Sequence, residues 1–110
     1  GLRDLDLELP GSPEWAQPVW HLYVIRSRQR DALRRHLEQC EISTVIHYPI
    51  PPHRQPCYAG FSRHSLPIAE ALANEVISLP LSPCMSEQEL GAVVGALRSF
   101  RGNHEADSRR

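Results

Sequence analysis

The sequence predicts an α/β (α+β) sandwich, a small sheet of three or four strands covered by helices. Three observations carry this. Blocks rich in β-branched and aromatic residues stand at 19–25, 44–47 and 75–80. Between them lie stretches whose apolar residues recur every three or four positions. Prolines at 49, 51, 52, 67 and 80 mark where elements stop or start.

The elements follow in order. Residues 1–17 read as a lead-in with Pro10, Gly11 and Pro13, in which loose alternation of Leu5, Leu7 and Leu9 suggests a short edge strand over 6–9. Val19-Trp-His-Leu-Tyr-Val-Ile25 reads as a buried strand. Residues 28–39 read as a helix with Ala32, Leu33, His36, Leu37 and Cys40 on one face and Ser27 as its cap. Thr44-Val-Ile-His47 is a second strand. Pro67 opens a helix to about Asn74 with Ile68, Ala69, Leu72 and Ala73 inward. Glu75-Val-Ile-Ser-Leu-Pro80 is a third strand, stopped by its proline. Ser86-Glu-Gln-Glu89 is a capping box, because serine and N3 glutamate satisfy each other's amides. It opens a helix with Leu90, Val93, Val94, Leu97 and Phe100 on one stripe. Residues 101–110 are polar and terminal and read as a disordered tail.

Composition excludes several classes of function. At 110 residues the chain is one domain, and its 41% apolar content supports only a small core, so packing against another domain or subunit is expected. A net charge of −1 with scattered arginines gives no basic footprint for nucleic acid. No apolar run approaches the roughly 20 residues that span a bilayer. Cys40, Cys57 and Cys84 are odd in number and lack C-x-x-C spacing, which reads as a reduced, cytoplasmic protein. All 12 basic residues are arginine. Without a lysine, the chain by itself completes no Schiff-base chemistry on a carbonyl cofactor.

The densest chemistry lies in Thr44-Val-Ile-His-Tyr-Pro-Ile-Pro-Pro-His-Arg-Gln-Pro-Cys-Tyr58. A short strand delivers His47 and Tyr48 to a proline-stiffened loop that also carries His53, Gln55 and Tyr58. His47 either contacts a ligand or satisfies backbone at a strand end. His53, Gln55 and Tyr58 either shape a pocket or hold the loop by hydrogen bonds. A zinc reading of His47, His53, Cys57 and His64 fails on spacing, so no metal is assigned. His21 and His36 read as structural, and Arg26 as ion-paired or solvent-facing.

The ordered motifs His21-Leu-Tyr-Val-Ile-Arg26, Arg30-Asp-Ala-Leu33, Thr44-Val-Ile-His-Tyr-Pro49, Pro52-His-Arg-Gln-Pro56 with Tyr58, Ala69-Glu70, Leu72-Ala73 and Glu75-Val-Ile-Ser-Leu-Pro80 closely resemble the C-terminal part of the DegT/DnrJ nucleotide-sugar aminotransferases. The resemblance covers about residues 18–100. It implies the small domain of a fold-type-I pyridoxal-phosphate enzyme that moves an amino group, usually from L-glutamate, onto a nucleotide-linked keto sugar for lipopolysaccharide, other polysaccharide or antibiotic pathways. The lysine-bearing large domain precedes this segment in the family, so the chain is expected to be part of a longer homodimeric enzyme and to bind no cofactor alone. The resemblance puts His47 and Tyr48 at an active site, often the neighbouring subunit's, against the sugar nucleotide. Two departures stand out: Cys40-Glu41 replaces the usual glycine after the first helix, removing the easy left-handed cap, and Cys57 replaces an alanine. The competing reading is a free-standing regulatory or interaction module without catalysis.

Overall fold

The computed structural model describes residues 2–102, so the predicted tail lies outside the described residues from position 103 onward. The chain forms β1 (Tyr23–Arg26), α1 (Arg30–Gln39), α2 (Pro67–Glu75), β2 (Val76–Leu79) and α3 (Glu87–Ser99), with two 3-10 turns, Pro52–Arg54 and Pro56–Phe61, between α1 and α2. The α/β class is as the sequence predicts. The sheet is narrower.

Strands β1 and β2 pair antiparallel, with Tyr23 opposite Leu79, Val24 opposite Ser78, Ile25 opposite Ile77 and Arg26 opposite Val76. The predicted edge strand at 6–9 and the predicted second strand at 44–47 are single bridges. Glu8 exchanges two backbone hydrogen bonds of 3.0 Å with Arg26 on the free edge of β1. Val45 does the same with Ser78 on the free edge of β2, at 3.3 and 2.7 Å. Residues 44–47 do not lengthen into a strand because Pro49, Pro51 and Pro52 follow at once and have no amide to extend a ladder. The same physics trims the first strand. In register, Leu22 would face Pro80, which has no N–H, so pairing begins at Tyr23 and Val19 is left 95% exposed.

Helix α1 begins two residues later than predicted. Ser27 does not cap it; its hydroxyl accepts from the Gln29 amide, 3.2 Å away, in a local turn. The helix ends in a left-handed residue despite having no glycine there. Glu41 sits at φ 60°. The Ile42 amide reaches back to the Leu37 carbonyl (2.9 Å) and the Glu41 amide to the Glu38 carbonyl (3.0 Å), the paired bonds of a Schellman motif.

The core joins Ile25 and Ile77 of the sheet to Leu33 and Leu37 of α1, Ile42 beyond it, and Val93, Ala96 and Leu97 of α3. Leu2, Leu5, Leu7 and Leu9 pack onto its margin, and Asp4 pairs with Arg98 at 2.9 Å. His36 ties α1 to α3 through its Nε2, which donates to the Ala96 carbonyl (2.9 Å). Buried Arg30 donates to the carbonyls of Ala73 (3.1 Å) and Val76 (3.2 Å), satisfying the C-terminal end of α2.

Two predicted faces differ. On α2 only Ala73 is buried; Ile68 is 77% exposed and Leu72 also faces outward, because no described element covers that side. On α3 the capping box is present, with Glu89 N–H donating to Ser86 Oγ (3.2 Å) and Ser86 N–H to Glu89 Oε2 (2.7 Å). Its buried stripe is Val93, Ala96 and Leu97, while Leu90 is exposed.

Candidate functional site

The site is the loop from Val45 to Leu66, held at three places. The first is the sheet edge. The Val45 bridge ends the paired chain, and two residues on, His47 Nδ1 lies 2.9 Å from the hydroxyl of Ser78, a buried residue of β2. That bond fixes the ring and leaves Nε2 with no partner among the described residues. Tyr48 sets its ring edge-on to the imidazole, centroids 5.4 Å apart, and is 70% exposed. The His47–Tyr48 peptide is cis.

The second place is inside the loop. Gln55 Nε2 donates to the Ile50 carbonyl at 3.2 Å. Each 3-10 turn starts on a proline, which needs no amide partner there.

The third place is the first turn of α2. Glu70 Oε1 accepts from His53 Nε2 (2.9 Å), Arg54 Nη2 (3.2 Å) and the Leu66 amide (3.2 Å). The bond from His53, then the Leu66 amide and Arg54, hold the Glu70 carboxyl down at about 2, below its ordinary 4.5. The His53 side chain is only 5% exposed, and its Nδ1 is buried with no partner. A carboxylate accepts and cannot donate, so Nε2 carries a proton in this bond.

Between the second and third places lies an apolar hollow of about 470 Å³ lined by Pro52, His53, Tyr58, Phe61, His64 and Leu66. Tyr58 and Phe61 meet edge to face, centroids 6.4 Å apart.

Of the five predicted residues, His53 and Tyr58 therefore share one hollow, Gln55 braces the loop, and His47 with Tyr48 stands at the sheet edge. Glu70, Ser78 and Phe61 were not among the predicted site residues. Glu70 had a readable signal, an acidic residue in the first turn after a proline at N1. Ser78 had none, because only the strand pairing brings it beneath His47. His21 is exposed and has no hydrogen-bond partner among the described residues, unlike the structural role expected of it. Arg26 is ion-paired as expected, to Glu75 and to Glu8 (3.1 Å). No group of three His, Cys, Asp or Glu converges on a metal position among the described residues. The three cysteines are free and exposed.

The fold is found in known proteins. Residues 1–98 match the DegT/DnrJ/EryC1/StrS aminotransferase family, and the chain belongs to that family. It is 43% identical over 94 residues to dTDP-3-amino-3,6-dideoxy-alpha-D-galactopyranose transaminase of Aneurinibacillus thermoaerophilus, covering 86% of this chain and 26% of that protein. It is 43% identical over 101 residues to the erythromycin biosynthesis sensory transduction protein EryC1 of Saccharopolyspora erythraea, covering 89% of this chain and 28% of the other. The crystal structure of S. venezuelae DesV in complex with a ketimine intermediate superposes with a TM-score of 0.83 at 40% identity, over 88% of this chain and 27% of that one. The chain thus spans about a quarter of the length of the relatives it matches.

Proposed function

We propose that the chain is the C-terminal part of a pyridoxal-phosphate-dependent aminotransferase that moves an amino group from L-glutamate to a keto sugar carried on a nucleotide. The observation that carries this reading is the likeness, at 40% identity and a TM-score of 0.83, to an enzyme trapped with a ketimine intermediate. The name of the Aneurinibacillus relative points to the same substrate class.

The residues present do not fit covalent anchoring of the cofactor, since there is no lysine amine to condense with its aldehyde. No cofactor step is therefore assigned to this chain. A large domain supplies the lysine, and a second subunit completes a cytoplasmic homodimer. The chain's own part is to bind and orient the sugar nucleotide. His47, with Nδ1 held by Ser78, presents Nε2 to a hydroxyl or phosphate oxygen, and Tyr48 stands exposed beside it. His53, Gln55 and Tyr58 shape the loop and the hollow behind them. The product enters cell-surface polysaccharide or antibiotic sugar assembly.

The test is to express the reading frame continuous with residue 1 and supply glutamate with a panel of dTDP- and UDP-linked keto sugars. The expected result is 2-oxoglutarate formed in step with amino sugar, from one or a few members of the panel. A reading frame that encodes no lysine-bearing domain, or a purified product inert to the whole panel, overturns the reading. Mixed with pyridoxal phosphate, the 110-residue chain should leave the spectrum of the free aldehyde; a stoichiometric shift would overturn the assignment of the anchoring amine to another domain.

One observation favours a second reading. The Saccharopolyspora relative, as similar as the transaminase, is named a sensory transduction protein. A reading frame that starts near residue 1, with the chain binding a regulatory partner, would support it.

A further inference from the structure

We propose that Glu70 is a positioning residue that holds the substrate-facing loop in its binding shape, acting as a one-atom clip between the two ends of residues 53–66. The clip rests on the reading above only for what the loop binds; its geometry stands independently.

A single oxygen, Glu70 Oε1, takes three donors. His53 and Arg54 stand where the loop leaves its first 3-10 turn. Leu66 stands where the loop delivers the chain to α2. The residues between them have little else to order them. Apart from the Gln55 side-chain bond to Ile50, their amide bonds are local, from Gln55 to Pro52, Tyr58 to Gln55, Ser62 to Ala59 and His64 to Phe61. Tyr58 and Phe61 are more than half exposed, and their ring contacts, Tyr58 with Phe61 and Phe61 with His64, stay within the loop. No residue of the second 3-10 turn is buried. A segment with so few buried contacts opens easily unless its ends are fixed.

His53 adds a second observation. Its ring is almost wholly buried with Nδ1 unpartnered, a cost that persists only where the rest of the ring is firmly held. The bond that holds it goes to Glu70. Arg54 shares the same oxygen and makes the bond charge-assisted, so the acceptor must be an ionised carboxylate. Glu70 is not among the residues lining the hollow of Pro52, His53 and Tyr58, and it reaches that hollow through its bond to His53. Its effect on binding is transmitted through the loop.

The experiment compares wild type with Glu70→Ala and Glu70→Gln by two readouts. The first is hydrogen exchange on the 110-residue chain. Glu70→Ala should speed exchange of the Arg54, Gln55 and Tyr58 amides at least tenfold while leaving the Ile25 and Ile77 amides unchanged, and Glu70→Gln, which keeps an oxygen in place, should fall between. The second is half-reaction kinetics of the full-length enzyme. Displacing a contact by about 1 Å can cost about a hundredfold, so Glu70→Ala should raise KM for the sugar nucleotide roughly ten- to hundredfold and leave the glutamate half-reaction at its wild-type rate. Loop amides that exchange at the wild-type rate in both variants overturn the clip. Core and loop amides accelerated together overturn it as well, since Glu70 would then stabilise the whole fold and not the loop. If the wild-type enzyme turns over no keto sugar, the aminotransferase reading falls while exchange still decides for or against the clip.

Discussion

Glu41 occupies a backbone conformation that an L side chain enters at a cost of roughly 1–2 kcal/mol. It is held there by the two Schellman bonds and by Ile42, whose side chain is buried in the core immediately after. Glycine removes the steric cost but adds roughly 0.5–1 kcal/mol of chain entropy to the unfolded state. The steric term wins, and Glu41→Gly should stabilise the domain by about 0.5–1 kcal/mol, read as a higher urea midpoint with an unchanged slope. The sequence reading assumed that losing the glycine meant losing the left-handed cap. Bonds from two neighbouring amides and a buried apolar anchor outweigh one residue's preference, and such a sum is not visible at a single position. His47 is the complementary case. Its position beside a proline loop was legible, but its Ser78 partner, 31 positions away, was not. On the proposed aminotransferase reading, His47→Ala in the full-length protein should slow the sugar half-reaction by about 3- to 100-fold, the worth of one hydrogen bond to a polar or charged group. Single-turnover measurements should find the glutamate half-reaction and cofactor content unchanged, and equal losses in both would make the residue structural.

Helix α3 was the most legible element because its signals are local: a capping box, then apolar residues at helical spacing. Ser86→Ala removes the acceptor for the Glu89 amide and the partner of its side chain, at a cost of about 1 kcal/mol in urea unfolding. The strand expected at 44–47 failed for the opposite reason. Strand length depends on what lies opposite, and Val45 finds one partner residue before the prolines turn the chain away. The outward face of α2 was misread because a period of apolar residues says that a face will be covered and not by what. Between α2 and the loop, pH gives a further test. The Glu70 carboxyl is depressed in the folded state, so its stabilisation is complete above the ordinary value near 4.5 and is lost as pH falls toward about 2. The gap in urea midpoint between wild type and Glu70→Gln should shrink steadily as pH falls below 4.5. A gap that widened between pH 4.5 and about 2 would contradict the ion-paired geometry.

Taken whole, the molecule is looser than its length allows. Its radius of gyration is 16.2 Å, whereas a self-contained domain of this size measures about 13 Å. Trp15, Val19, Tyr48, Phe61 and Ile68 are all exposed large apolar residues. Even so, one continuous core links both strands to α1 and α3, so urea unfolding followed by far-ultraviolet circular dichroism should be a single cooperative transition; a gradual loss of signal would show that the core does not hold without covering surfaces. The α/β class was legible because alternation and helical period survive in short windows. The width of the sheet was not, since it is set by where prolines interrupt pairings between distant segments. The Asp4–Arg98 pair has a consequence for how the domain is wired. It draws the first residues of the chain against the last turn of α3, so the polypeptide arrives and departs on the same side. A unit threaded in this way can be spliced into another polypeptide, or rewired end to end, without crossing its own core. Joining residue 102 to residue 2 through a short flexible linker and opening new ends within the exposed stretch 62–65 should leave the β1–β2 pairing and the transition midpoint close to those of the original connectivity.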